Sequence, residues 1–90
     1  MLEYYQLKTG LLFVNQKVLE SIHNVTTDLC VDIFIRDDGT YGYEEFRRDY
    51  EDGGKWFPLQ RYSHQVFKTQ ELALSHARST VEWLCMQEES

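Results

Sequence analysis

The clearest alternation of apolar and polar positions lies in the middle of the chain. Every second residue is a large aliphatic one at Leu29, Val31, Ile33 and Ile35. This period of two is typical of a β-strand with one face against a core. The Asp-Gly pair within residues 37–40 supplies the positive φ of a tight turn, and a second strand with alternating tyrosines follows over 41–50. The pattern predicts a β-hairpin over 29–50, in which Gly42 indicates a bulge or a close backbone approach.

The C-terminal segment has helical periodicity. Neither Gly nor Pro interrupts residues 70–87, Thr69 is a suitable N-cap, and Glu71 lies in the first turn. We therefore predict one helix from Gln70 to Gln87. Its apolar stripe, flanked by Leu74 and Cys85, is formed by Ala73, Ala77, Thr80, Val81 and Leu84. Trp83 projects about 100° or more away from the centre of this stripe, so we expect its indole to cover something other than the main sheet contact.

The remaining segments predict shorter elements. Gly53-Gly54 ends the hairpin, and residues 55–59 are expected to be irregular or an edge strand because Pro58 cannot donate to a central ladder. Residues 62–67 predict another short strand. The segment Val18–Ile22 fits either a strand or a short helix, and we favour the strand. Together these elements predict an α+β fold with a three- or four-stranded antiparallel sheet and a C-terminal helix packed on one face.

Length and charge narrow the function classes. The 90 residues form a single domain, 1–90, and the net charge of −6 argues against binding duplex DNA, since phosphate neutralisation needs a concentration of Lys and Arg. The longest apolar run, Leu11–Val14, is too short to span a membrane, and Glu3 stands where a secretory signal has basic residues. These features predict a cytoplasmic protein whose Cys30 and Cys85 stay reduced.

One segment is basic and aromatic in an otherwise acidic chain. Residues 53–70 carry a net charge of +3 and no carboxylate, whereas residues 29–52 carry −5. Cations interleaved with rings can hold a phosphate and stack a base. A single-stranded nucleic acid or a phosphorylated small ligand is therefore one hypothesis for this segment, with the binding residues Lys55, Trp56, Arg61, Tyr62 and Lys68. The competing interpretation is that these rings fill the core.

No motif indicates catalysis, a metal or a cofactor. The acidic residues of 37–52 lack the ligand order of a calcium loop, and the three histidines and two cysteines lack zinc-ligand spacing. A nucleophile elbow and a Gly-rich phosphate loop are also missing from the sequence. We therefore predict neither catalytic residues nor a cofactor, and we expect a binding protein rather than an enzyme.

The number of large aromatic residues favours a protein interaction. A core of this size is too small to bury all of them, and exposed Tyr and Trp beside Arg are typical of protein interfaces. The acidic and basic segments of one subunit can also meet their opposites across a two-fold axis. The sequence predicts a homodimer or a small adaptor, with self-association or another protein as its partner. The predicted contact residues are Tyr41, Tyr43, Tyr50, Trp56, Tyr62 and Trp83.

The run from Phe67 to Arg78 is similar in pattern to a segment of known small domains. Its Phe-x-Thr-x-Glu-x-Ala pattern, preceded by a Gly-containing hairpin with aromatic strands, resembles the end of small bacterial domains of unknown function. The similarity covers about half the chain. It implies an antiparallel sheet followed by a helix, and a bacterial cytosolic protein, and it brings no catalytic residues.

Overall fold

The fold is a five-stranded antiparallel sheet with two C-terminal helices. The computed structural model describes residues 4–6 and 15–88, and within them the strands follow the chain order β1-β2-β3-β4-β5 across the sheet. The strands are β1 Tyr4–Gln6, β2 Asn15–His23, β3 Leu29–Arg36, β4 Tyr41–Asp49 and β5 Lys55–Pro58. A short 3-10 helix, Tyr50–Asp52, precedes β5, and the helices are α1 Gln70–Thr80 and α2 Glu82–Glu88. The predicted α+β class is confirmed, although the sheet has five strands rather than three or four.

The predicted hairpin is confirmed by β3 and β4. Gly39 has a φ of +86° and donates its N–H to Arg36 O, which closes the turn. No bulge occurs at Gly42. Instead, a Cβ there would lie 2.6 Å from the guanidinium of Arg36 and 2.9 Å from the ring of Phe34. Gly42 is therefore needed for a close approach, the second of the two roles predicted for it.

Strand β2 resolves the ambiguity of Val18–Ile22 in favour of a strand. Its register with β3 shifts between Val18 and Glu20, so Leu19 is an extra residue that bulges out of the ladder. The bulge changes which face each later side chain occupies. Strict alternation is therefore lost in the sequence, and this is why the pattern alone fitted a short helix equally well.

The predicted C-terminal helix is two helices. Thr69 caps α1 by accepting a hydrogen bond from the Leu72 N–H at 3.1 Å, as predicted. The helix ends at Val81, whose backbone is extended with ψ 112°. The preceding Ser-Thr-Val run has low helix propensity, and the Ser79 hydroxyl donates back to His76 O. The prediction of one continuous helix over 70–87 is therefore wrong, because the helix is interrupted at Val81.

The main core lies between the helices and one face of the sheet. Four positions of the predicted stripe are fully covered there, but Thr80, beside the helix break, is exposed. The buried residues are Val31, Ile33, Tyr43, Ala73, Ala77, Val81 and Leu84. The two alanines allow α1 to lie close to the strands, because they place almost no side-chain volume between backbone and sheet.

The second face of the sheet is buried as well, which the alternating pattern did not predict. Cys30, Asp32, Phe34 and Phe46 lie on this face and are all buried. The sheet curls so strongly that His23 of β2 and Trp56 of β5, with two strands between them, place their ring centroids 5.6 Å apart. This concave face therefore encloses its own small interior.

The segment after β5 is a loop rather than the strand predicted over 62–67. Glu44 has no β5 residue beside it, and its buried carboxylate accepts hydrogen bonds from the backbone N–H groups of Arg61 and Ser63 at 3.2 and 3.1 Å. The donors that a strand would use are thus bound to a side chain. Only Phe67 forms a bridge, with Tyr41.

Strand β5 is a short edge strand, which is one of the two alternatives that Pro58 indicated for this segment. Leu59 donates its N–H to Glu45 O, so alternate residues of β5 point their N–H groups inward to β4. The outward positions are Trp56 and Pro58. Because proline has no N–H, the outer edge of β5 offers a single donor, that of Trp56.

The structure bears on two further sequence predictions, which concern a membrane span and the two cysteines. Neither helix in residues 70–88 is long and apolar enough to cross a membrane. The apolar run Leu11–Val14 and Glu3 lie outside the described residues. Cys30 and Cys85 are not joined by a disulfide.

Candidate functional site

A cluster of aromatic and cationic groups is centred on Arg48. The guanidinium carbon of Arg48 lies 5.3 Å from the ring centre of Tyr50 and 5.7 Å from that of Trp56. Its Nε also donates to the carbonyl of Gly54 at 3.1 Å. Tyr50 is 61% exposed, whereas Arg48 and Trp56 are partly buried, so the arrangement reaches solvent through the ring of Tyr50. We call Arg48, Tyr50 and Trp56, with the adjacent His23, the Arg48 patch.

The backbone explains how the Arg48 patch forms. Strands β4 and β5 pair so that Arg48 lies directly opposite Trp56, and directly opposed side chains share a sheet face. Gly53 and Gly54 turn the chain between the strands with φ values of +72° and +77°. Sequence reasoning did not include Arg48 among the predicted contact residues. The signal was present, since a Gly-Gly turn joining two strands predicts their pairing.

A shallow cleft of about 460 Å³ adjoins the Arg48 patch. It carries both charge signs and is lined by Asp28, Arg47, Arg48, Asp49, Tyr50 and Glu51. Hydrogen bonds from the side chains of Thr26 and Asn24 hold the pKa of Asp28 below its usual range, so this carboxylate is ionised at neutral pH. The exposed Lys55, opposite Asp49 in the strand pairing, adds a further cation.

A second cleft, of about 380 Å³, lies where α1 meets α2. Its lining includes Glu45, Arg61, Tyr62, Glu82, Trp83 and Met86, and we call it the Trp83 cleft. The indole Nε1 of Trp83 donates to Glu45 Oε2 at 2.8 Å. The expectation that Trp83 covers something beside the main sheet contact is therefore met by a specific partner, the carboxylate of Glu45.

The six predicted contact residues separate into three places. Tyr50 and Trp56 join the Arg48 patch, whereas Tyr62 and Trp83 line the Trp83 cleft. Tyr41 is partly buried and bridges to Phe67. Tyr43 is 0% exposed, so its inclusion among exposed contact residues is wrong. Its strand position faces α1, and its ring stacks against that of Tyr62 with centroids 5.1 Å apart.

The five residues of the basic and aromatic segment do not form one surface. Trp56 lies on the concave face beside His23, whereas Tyr62 lies on the helix face against Tyr43. Arg61 approaches Glu45, and Lys68 lies directly before the N-cap of α1. Lys55 accompanies Trp56 in β5. A single extended ligand therefore has no continuous stacking platform across these residues.

The buried carboxylate of Asp32 on the concave face is hydrogen-bonded, whereas Nε2 of the buried Gln16 has no hydrogen-bond partner. Asp32 Oδ1 accepts hydrogen bonds from the Ser21 hydroxyl at 2.6 Å and from the Cys30 thiol at 3.1 Å. Within residues 4–6 and 15–88, no group of three or more His, Cys, Asp or Glu residues is arranged to hold a metal ion. This network holds β2 against β3, and its geometry offers no open coordination site.

Comparison of the chain with protein-family models, with curated proteins and with solved structures finds no significant match.

Proposed function

We propose that the protein is a non-catalytic interaction module that self-associates as a homodimer through the Arg48 patch and its adjoining cleft. The observation that carries the proposal is the half-buried guanidinium of Arg48, which lies 5.3 and 5.7 Å from the ring centres of Tyr50 and Trp56 beside the exposed ring of Tyr50. Tyr, Trp and Arg are the residues most enriched at the energetic centres of interfaces. The rings and the Gly54 carbonyl fix the guanidinium before any partner arrives, so little side-chain entropy is lost on binding.

The charges around the patch favour a second copy of the chain as the partner. A two-fold interface brings the same surface together twice, so the surface must complement itself. The cleft presents Arg47 and Arg48 beside Asp28, Asp49 and Glu51, which gives it both signs within a small area. Two such clefts related by a two-fold axis can place cations of one copy opposite carboxylates of the other.

The test is the oligomeric state of the full chain, measured by sedimentation velocity and light scattering over a concentration series. We expect a monomer–dimer equilibrium that Tyr50→Ala weakens at least about tenfold, equivalent to ~1.4 kcal/mol. The control is Leu72→Ala, which removes another exposed apolar side chain, 53% accessible, on α1. A strict monomer at high micromolar concentration, or equal weakening by both variants, would falsify the proposal.

A charge-exchange experiment tests the self-complementary surface directly. Arg47 and Glu51 are both exposed at the cleft, so their substitution does not disturb the core. Arg47→Glu makes the surface more acidic and Glu51→Arg makes it more basic, and each variant alone should repel its own copy. An equimolar mixture of the two should restore dimers. Failure of the mixture to exceed either variant alone contradicts an interface at this cleft.

A further inference from the structure

The Trp83 cleft is a second surface with its own chemistry. It lies on the helix face of the sheet, whereas Arg48 and Trp56 lie on the concave face. Its volume of about 380 Å³ is large enough for one long side chain or a small ligand, so the choice between occupants depends on the chemistry of its lining. It combines aromatic walls with two carboxylates, so the group that fills it must satisfy both.

The carboxylate of Glu45 is the most distinctive group in the Trp83 cleft. Glu45 is only 5% exposed, and Trp83 donates to one of its oxygens. The other oxygen, Oε1, lies 3.7 Å from Nη1 of Arg61, which is too far for a hydrogen bond. Because the Arg61 side chain is 63% exposed, its guanidinium is held loosely and a better-placed cation can displace it.

The other lining groups favour a cation as well. Glu82 adds a second carboxylate from the first turn of α2. The rings of Tyr62 and Trp83 provide faces that attract a cation. With two carboxylates against one exposed arginine, the cleft disfavours an anion, and the net charge of −6 attracts basic partners to the whole protein.

We propose that the Trp83 cleft binds an arginine side chain presented by a basic segment of another protein. A guanidinium is planar, so it stacks on an indole or phenol and bonds a carboxylate with two N–H groups at once. A lysine ammonium matches only the charge. In the complex the partner's arginine takes the place of Arg61 beside Glu45, and Arg61 turns into solvent. This contact is distinct from the contacts of Arg48 and Trp56, because these two residues lie on the concave face of the sheet and Glu45 lies on the helix face.

The experiment is an NMR titration that observes the indole N–H of Trp83, which donates to Glu45. The probe is a five-residue peptide with one central arginine between glycines, acetylated and amidated at its ends. The matched peptide carries citrulline, which keeps the shape and loses the charge. Trp56→Phe assigns the two indole signals. We expect the arginine peptide to shift the Trp83 signal in a saturable way and the citrulline peptide to leave it unchanged.

Four variants distinguish the proposal from nonspecific charge attraction. Glu82→Gln and Glu45→Gln should each weaken binding at least about tenfold, and the exposed Glu82 provides the test if the buried Glu45→Gln unfolds the protein. Glu71→Gln, an exposed carboxylate on α1, should have no effect. Arg61→Ala should tighten binding because it removes the competing cation. Equal binding of citrulline, or weaker binding by Arg61→Ala, overturns the proposal.

A further experiment distinguishes failure of this inference from failure of the proposed dimer. Tyr50 lies in the Arg48 patch, and the variant Tyr50→Ala is designed to weaken self-association. The arginine peptide should bind Tyr50→Ala and the original chain with the same affinity. Loss of peptide binding in Tyr50→Ala contradicts the assignment to the Trp83 cleft and leaves the dimer proposal to its own test.

Discussion

The hydroxyl of Tyr43 lies 2.7 Å from Nδ1 of His76, and this hydrogen bond joins strand β4 to helix α1. The ring of Tyr43 is enclosed by those of Tyr62, Phe67 and His76. Burial raises the pKa of Tyr43 to about 12 from its ordinary value of 10. The phenol therefore stays protonated at neutral pH, and its role is to hold α1 on the sheet.

The raised pKa of Tyr43 predicts a loss of stability at alkaline pH. The unfolded chain gives up this proton near pH 10 and the folded chain only near pH 12, so the folded state binds more protons between these values. The free energy of unfolding should fall as pH rises through this window, by roughly 1–3 kcal/mol. Urea denaturation at pH 9 and pH 11.5 measures it. Tyr43→Phe should flatten this dependence, and an equally steep fall in that variant contradicts the assignment.

Substitution of Glu44 should loosen the loop after β5. Its carboxylate accepts backbone N–H groups of Arg61 and Ser63, and the amide of Glu44→Gln turns a donor toward one of them. We expect a loss of about 2 kcal/mol of stability and faster hydrogen exchange at these amides. Asp37→Asn, an exposed carboxylate in the hairpin turn, is the control. Unchanged exchange in Glu44→Gln contradicts this role.

Two neighbouring glycines provide a matched pair for the Arg48 patch. Gly53 and Gly54 both have positive φ, so alanine at either costs about 1 kcal/mol of folding stability. Only at Gly54 does the added Cβ meet a neighbour, the guanidinium of Arg48 at 3.2 Å. Gly54→Ala should therefore weaken the proposed dimer and Gly53→Ala should not. Sedimentation of both variants measures the difference, and equal behaviour excludes a role for the Arg48 geometry.

Arg36 should be needed for the position of the 63–65 loop. Its Nη2 donates to the carbonyls of Ser63 at 2.6 Å and Gln65 at 3.0 Å, while Nη1 donates to Tyr41 O at 3.1 Å. Arg36→Lys keeps the charge but replaces the fork with a single ammonium, so we expect a loss of about 1–3 kcal/mol. Arg47→Lys, at an exposed position of β4, is the control. Equal losses of thermal stability in the two variants contradict the bridging role of Arg36.

The elements with local signals could be predicted from the sequence. The β3–β4 hairpin follows from alternation and one Asp-Gly turn, and α1 begins at the predicted cap, Thr69. The errors arose where side chains replace backbone partners. Glu44 takes the N–H groups that a strand over 62–67 needs, and no local pattern shows that a residue 17 positions earlier will do so. The bulge at Leu19 is a shift in the pairing of β2 with β3, and alternation within β2 alone does not show it.

The candidate site was predictable only in its composition. Tyr and Trp beside Arg were expected, and Arg48 does lie between Tyr50 and Trp56. The sequence did not indicate that Tyr43 is buried, because its alternating position is shared with Tyr41, which remains partly exposed. The burial of the concave face also depends on the curl of the whole sheet, which arises from twist accumulated over several strands.

The outer margin of β5 has a consequence for how far assembly can proceed. With one donor and a proline along four residues, this margin gives an incoming strand few N–H groups to pair with, which disfavours extension of the sheet from copy to copy. If two copies meet about a two-fold axis, both Arg48 patches are buried in the dimer and neither is left to bind a third copy. The protein can therefore concentrate aromatic residues near a strand boundary without starting open-ended polymerisation there.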